Sequence, residues 1–168
     1  MNKQSVIILS YVLIFLLQVV SDCFLDTGLY VHICLLPLVI IALPYKWKPG
    51  VVMPVAFALG LLADILSGGV LGVNAGASLV ASSIRNPAYR YLISTDGQLP
   101  AQIPSSVLLH MGPYLRYLSV VVILYLAAYI LLDAPARGTA SFFIARLAAS
   151  AGASIAACYA LNLLLSRN

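Results

Sequence analysis

GLLADILSGGVLGVN, residues 60–74, sets an aspartate near the end of an apolar run and follows it with a cluster of glycines. An apolar segment stops here, the chain turns at Ser67-Gly68-Gly69, and a second apolar segment begins, so the stretch reads as the bend of a helical hairpin. The rest of the chain says what surrounds that hairpin. Of 168 residues, 62% are hydrophobic and only 8% charged, whereas soluble domains carry about 25% charged residues. This composition predicts an all-α integral membrane protein. The length allows about six spans of roughly 20 residues with short connections, so residues 1–168 read as a single transmembrane domain.

Nine Lys and Arg stand against five Asp, with no Glu, for a net charge of +4. The basic residues fall mostly between apolar runs. They read as topology signals and headgroup contacts, not as a nucleic-acid surface. Cys23, Cys34 and Cys158 are scattered, with neither C-x-x-C nor zinc spacing, and read as packing residues. The first run, Ser5 to Val20 after Lys3, begins like a signal peptide but lacks a small-x-small cleavage site. It reads as an uncleaved first helix.

A second run, Tyr30 to Leu43, leads into the interfacial turn Pro44 to Gly50. A third, Val51 to Leu66, and a fourth, Val70 to Ile84, are short for a hydrocarbon core of about 30 Å. The fourth is expected to end at Arg85-Asn86-Pro87, before a polar loop over 88–106. Gly112-Pro113 predicts a break early in a fifth run, Val107 to Leu132, whose span then starts near Tyr117. A sixth helix covers about Ser141 to Leu165. Lys3, Lys46, Lys48, Arg85, Arg90, Arg116 and Arg167 fall on one side, and Asp22, Asp26, Asp133 and Arg137 on the other. The positive-inside rule places both termini in the cytoplasm. Tyr45, Trp47, Tyr89, Tyr91, Tyr114 and Tyr117 agree, as an aromatic belt at the inner interface.

A carboxylate within a membrane segment is expected near an interface or paired. Asp64 is thus open to outer headgroups, to a pair with Arg146, the one basic residue inside the sixth run, and to backbone donors, a partner protein or a small ligand. Gly68, Gly72 and Gly76 are four apart and on a helix would form a bare stripe for close packing. Ala148, Gly152, Ala156 and Ala160 form a similar stripe in the sixth run. Either stripe serves packing within the chain or against a partner's helix. No phosphate loop, dinucleotide fingerprint, nucleophile elbow or H-E-x-x-H occurs. His32 and His110 are isolated and read as structural. No cofactor and no metal site is implied.

From Gly60 to Arg85 the order is glycine, two leucines, Asp64, two apolar residues, Ser67, a glycine-rich turn, Leu71-Gly72 and small residues. With Pro37 early in the second run, the basic turn Lys46 to Gly50, and Arg85 and Pro87 closing the fourth, the chain resembles the MreD family of bacterial rod-shape membrane proteins. The resemblance covers most of the chain; the alanine-rich sixth run lies outside it. It implies a six-helix bundle like the S component of energy-coupling-factor transporters. It also implies a non-enzymatic scaffold of the inner membrane that binds MreC and works with the glycosyltransferase RodA, its transpeptidase and MreB in peptidoglycan synthesis. Asp64, Ser67, Gly68, Gly72 and Asn74 match the signature, and Gly76, Arg146 and Gly152 join them as candidate interface residues. A homo-oligomer is also open. The alternative is the substrate-binding membrane subunit of a vitamin-type transporter. A third reading, an intramembrane enzyme, would need a catalytic pair that the motifs do not supply.

Overall fold

The computed structural model describes residues 3–24, 32–45, 47–93, 111–133 and 140–166. Those residues form six helices and no strand: α1 (Lys3–Phe24), α2 (Leu36–Ala42), α3 (Pro49–Ser67), α4 (Val73–Leu92), α5 (Met111–Asp133) and α6 (Ala140–Ser166). Three segments, Pro49–Ser67, Gly112–Asp133 and Ser141–Leu163, are long and apolar enough to cross a membrane. Large apolar side chains face outward along the elements, with Leu13 of α1 67% exposed, Leu131 of α5 66% and Ile144 of α6 64%. A soluble surface would not carry such a band.

Long-range contacts set the helix directions. Cys23 at the end of α1 lies 3.8 Å from the Leu66 carbonyl at the end of α3. Tyr125, late in α5, meets Asn74 at the start of α4, and Tyr117, early in α5, packs on Tyr89 near the end of α4. Arg146, early in α6, meets Asp133, the last residue of α5. So α1, α3 and α5 run one way, and α4 and α6 the other. The two ends are named below for Asp64 and Arg85.

α4 is the central element, packed against α3, α5 and α2. Its sequence looks unsuited to a membrane because Asn74, Ser78, Ser82 and Arg85 interrupt it. Spaced four, four and three apart, they share one face, and all four are buried. The helix turns its polar side inward and is shielded by its neighbours. Its close approach to α3 depends on Gly60, where a Cβ would lie 2.6 Å from both the Ala75 Cα and the Asn74 carbonyl oxygen.

Several boundaries differ from those expected. Among its described residues the second run is helical over the seven residues of α2, and residues 32–35 are non-helical. Pro37 sits at the start of α2, where its fixed φ and absent N–H suit a first turn but prevent helix from continuing upstream through it. The third and fourth helices are not short: at 19 and 20 residues each extends about 28–30 Å. α4 passes through Pro87 because burial of Ala88 and Tyr89 outweighs one lost helical bond. Its last residues, 88–92, occupy what was expected to be loop; the polar stretch beyond 93 and His110 lie outside the described residues. The helix runs without interruption through Gly112-Pro113 in α5, and the part of the fifth run before Met111 lies outside the described residues. The interfacial belt is also partly overturned: Trp47 and Tyr91 are exposed, but Tyr45, Tyr89, Tyr114 and Tyr117 are core residues.

Candidate functional site

The bend after α3 closes around one side chain. Gly68 ends α3 at φ 69° and Gly72 precedes α4 at φ 97°, both in the left-handed region that only glycine enters without strain. This path aims the first backbone N–H groups of α4 at the Asp64 carboxylate, which is 1% exposed. Oδ2 accepts from the Gly72 N–H at 2.8 Å and the Ala75 N–H at 3.4 Å. Oδ1 accepts from the Asn74 N–H at 3.1 Å. A helix start leaves its first N–H groups without partners and carries a partial positive charge. Asp64 answers both needs from the preceding helix, a cap delivered across the turn. Tyr125 then donates its hydroxyl to Asn74 Oδ1 at 2.6 Å, tying α5 to the same turn.

The far end of α4 carries the opposite arrangement. Arg85 is fully buried, and its guanidinium donates to the carbonyls of Ile40 at 2.7 Å, Leu43 at 2.9 Å and Pro44 at 3.0 Å. These oxygens belong to the last turn of α2 and the residues after it, the negative end of a helix dipole. Nε donates to Asn86 Oδ1, and the guanidinium lies 4.5 Å from the centre of the Tyr45 ring. Tyr45 and Tyr117 share a hydrogen bond between their hydroxyls, and burial pushes the Tyr45 phenol up to about 12, so it stays neutral. α4 thus has its own start capped by an anion and supplies a cation to the end of α2.

Residues 32–35, which lack helical partners, are held by side chains from both sides. The His32 N–H donates to Ser150 Oγ at 3.0 Å and the Cys34 N–H to Ser154 Oγ at 2.9 Å. Ser154 donates onward to the His32 carbonyl, and Cys158 Sγ to the Cys34 carbonyl at 3.4 Å. From α1, the fully buried Gln18 accepts from the Leu35 N–H and donates to Asp22 Oδ1. Non-helical backbone in apolar surroundings is tolerated only when it is satisfied in this way.

Asp64, Gly72 and Asn74 therefore come together as one unit, with Ser67 beside them, its hydroxyl donating to the Asp64 carbonyl at 3.4 Å. Arg146 does not join them. Its Nη2 lies 2.6 Å from Asp133 Oδ2, so of the partners open to Asp64 the Arg146 pair is not formed, and backbone N–H donors hold the carboxylate instead. Burial likewise removes Asp64 from headgroups. The Gly68/Gly72/Gly76 stripe does not exist on any one helix, because the first two lie in the bend. The bend thus rests on Gly68 and Gly72. The stripe Ala148, Gly152, Ala156 and Ala160 is real but faces outward, with open space around Gly152. The face turned inward is the row on the other side of the helix, Ser150, Ser154 and Cys158. Cys34 and Cys158 are buried, as packing residues would be. His32 is not isolated: it stacks on Tyr129 with ring centres 4.3 Å apart.

Residue reading missed Arg85 as a structural group, taking it for a topology charge. It also missed Gln18 and the Ser150, Ser154 and Cys158 row, although that row has helical four-residue spacing and was legible as a polar face. The fold and the site define a chain of membrane-protein composition, helical without strands among its described residues, whose buried charged side chains close helix ends. Comparison with protein families, curated proteins and solved structures returns no match.

Proposed function

We propose that the protein is a non-enzymatic scaffold of the bacterial cell-elongation complex, of the MreD type, in the inner membrane with both termini cytoplasmic. In this reading it binds MreC and, through it, works with RodA, its transpeptidase and MreB. The observation that carries the reading is the state of the signature carboxylate: both Asp64 oxygens accept bonds from the start of α4. The residues that carry the resemblance thus build a rigid hairpin and leave no carboxylate oxygen of that motif for chemistry. A partner helix is offered the outward row Ala148, Gly152, Ala156 and Ala160, whose small side chains allow close approach. The implied six-crossing bundle, like that of energy-coupling-factor S components, is compatible with a composite second crossing. Four non-helical residues and the seven of α2 together reach at most about 23 Å.

The alternative, a substrate-binding transporter subunit, draws on Asp22, His32, Tyr129 and Arg146, which gather at the Asp64 end. Purification of the tagged chain from native membranes in mild detergent, with mass spectrometry of co-eluting proteins, separates the two. Recovery of MreC and elongation enzymes supports the scaffold. Recovery of paired ATPases with a coupling membrane subunit overturns it. Thermal unfolding gives a second readout, because only the true partner raises the melting temperature in proportion to its affinity.

A further inference from the structure

Five buried side-chain nitrogen or oxygen atoms among the described residues lack a hydrogen-bond partner, and three of them, Asp22 Oδ2, His32 Nε2 and Arg146 Nε, belong to the Asp64 end. Their residues form one group. His32 Nε2 lies 3.8 Å from Asp22 Oδ1, the His32 ring stacks on Tyr129, and its backbone N–H donates to Ser150, one turn beyond Arg146 on α6. The Asp22 side chain is 8% exposed, that of Arg146 15% and that of Asp133 28%, so the group is sunk below the surface but open on one side. Buried polar atoms are normally satisfied by protein, water or ligand. Three together, in a chain that satisfies the peculiar backbone of residues 32–35 so fully, mark a place meant to receive something.

The free atoms specify the chemistry. Asp22 Oδ2 needs an N–H or O–H donor and is anionic, so it favours an ammonium. Arg146 uses Nη2 on Asp133 and leaves the Nε–H for an anionic oxygen. Asp22 lies close to the last described residue of α1 and Arg146 close to the first described residues of α6, so both sit toward the Asp64 end of the bundle, where this reading puts the headgroups. Around them Val20, Leu131, Leu132 and Ile144 present apolar side chains 50–66% exposed, a surface suited to acyl chains. The geometry points to a site for a phosphoethanolamine group at this end of the bundle, its ammonium donating to Asp22 with His32 beside it and its phosphate accepting from Arg146. The inference stands independently of the partner reading above.

The test uses the purified full chain in detergent micelles doped with dioleoyl phosphatidylethanolamine, phosphatidylcholine or phosphatidylglycerol, with native mass spectrometry of retained lipid. Choline has no N–H for Asp22 and glycerol no cation, so phosphatidylethanolamine is expected to be retained about tenfold over either, the factor for one charge-assisted hydrogen bond. Asp22→Asn should abolish the preference over phosphatidylcholine, and Arg146→Gln should lower retention altogether. Equal retention of the three lipids by the native chain overturns the site, whatever the variants do. Protection from thermal unfolding by free O-phosphoethanolamine equal to that by the lipid would support the same chemistry and assign it to a soluble ligand.

Discussion

Tyr125 and Asn74 are joined by a 2.6 Å hydrogen bond, and through it α5 grips the turn that Asp64 caps. The bond makes the hairpin a three-helix junction. Changes at Asp64 should therefore be felt in α5 as well as α4.

Replacing Asp64 with Asn tests the cap. The amide offers one acceptor oxygen, so whichever way it turns, its NH2 faces one of the backbone N–H groups now bonded to the carboxylate. We expect a loss of about 1–3 kcal/mol, with insertion intact and recovery of the partner complex weakened. Asp64→Ala, which orphans all three donors, should cost about 3 kcal/mol or more. Thermal unfolding in detergent with co-purification reads both. Unchanged stability and complex recovery for Asp64→Asn would remove the carboxylate from the mechanism.

The glycines should separate by cause. Gly60→Ala drives a methyl into the backbone of α4 and should cost about 3 kcal/mol. Gly76→Ala meets only the end of Leu132, which is half-exposed and free to move, and should cost under about 1 kcal/mol. Gly72 has open space around it but φ 97°, so Ala there should cost about 1–2 kcal/mol through backbone strain alone. Gly152→Leu should leave the melting temperature within the error expected of an exposed site, about 0.5 kcal/mol, and reduce partner recovery. A melt of the four variants side by side gives the ranking. If Gly60→Ala proved the mildest, the close contact of α3 with α4 would be wrong.

Arg85→Lys is predicted not to rescue. A single ammonium cannot span three carbonyls arranged for a planar fork and also lie over Tyr45. A loss of about 2–4 kcal/mol is expected, close to that of Arg85→Gln. Native-like stability in the Lys variant would mean that charge alone, as a topology signal, is what the position supplies.

Helices were legible from their apolar runs, as in α1 and α6, and the hairpin bend was legible from its glycines. The interior was harder to read for a physical reason. In a membrane both the lipid face and the core are apolar, so periodicity does not tell one from the other. The row Ala148, Gly152, Ala156 and Ala160 and the row Ser150, Ser154 and Cys158 lie on nearly opposite faces of one helix, and only packing decides which faces inward. Asp64 drew attention as a rare carboxylate, yet its partners are backbone N–H groups, which no residue letter announces. Arg85 was hidden because a basic residue beside a proline looks like the end of a membrane segment.

α2 has its last carbonyls satisfied by an arginine 45 residues later in the chain, and the segment leading into it by a serine 120 residues later. During synthesis neither group exists when the second segment leaves the ribosome. The segment that is second in order must therefore be among the last to settle, waiting at the lipid boundary until the sixth helix arrives. Truncation before Ser150 should leave it exposed to the insertion and quality-control machinery, so the protein is completed from its end backward into its middle.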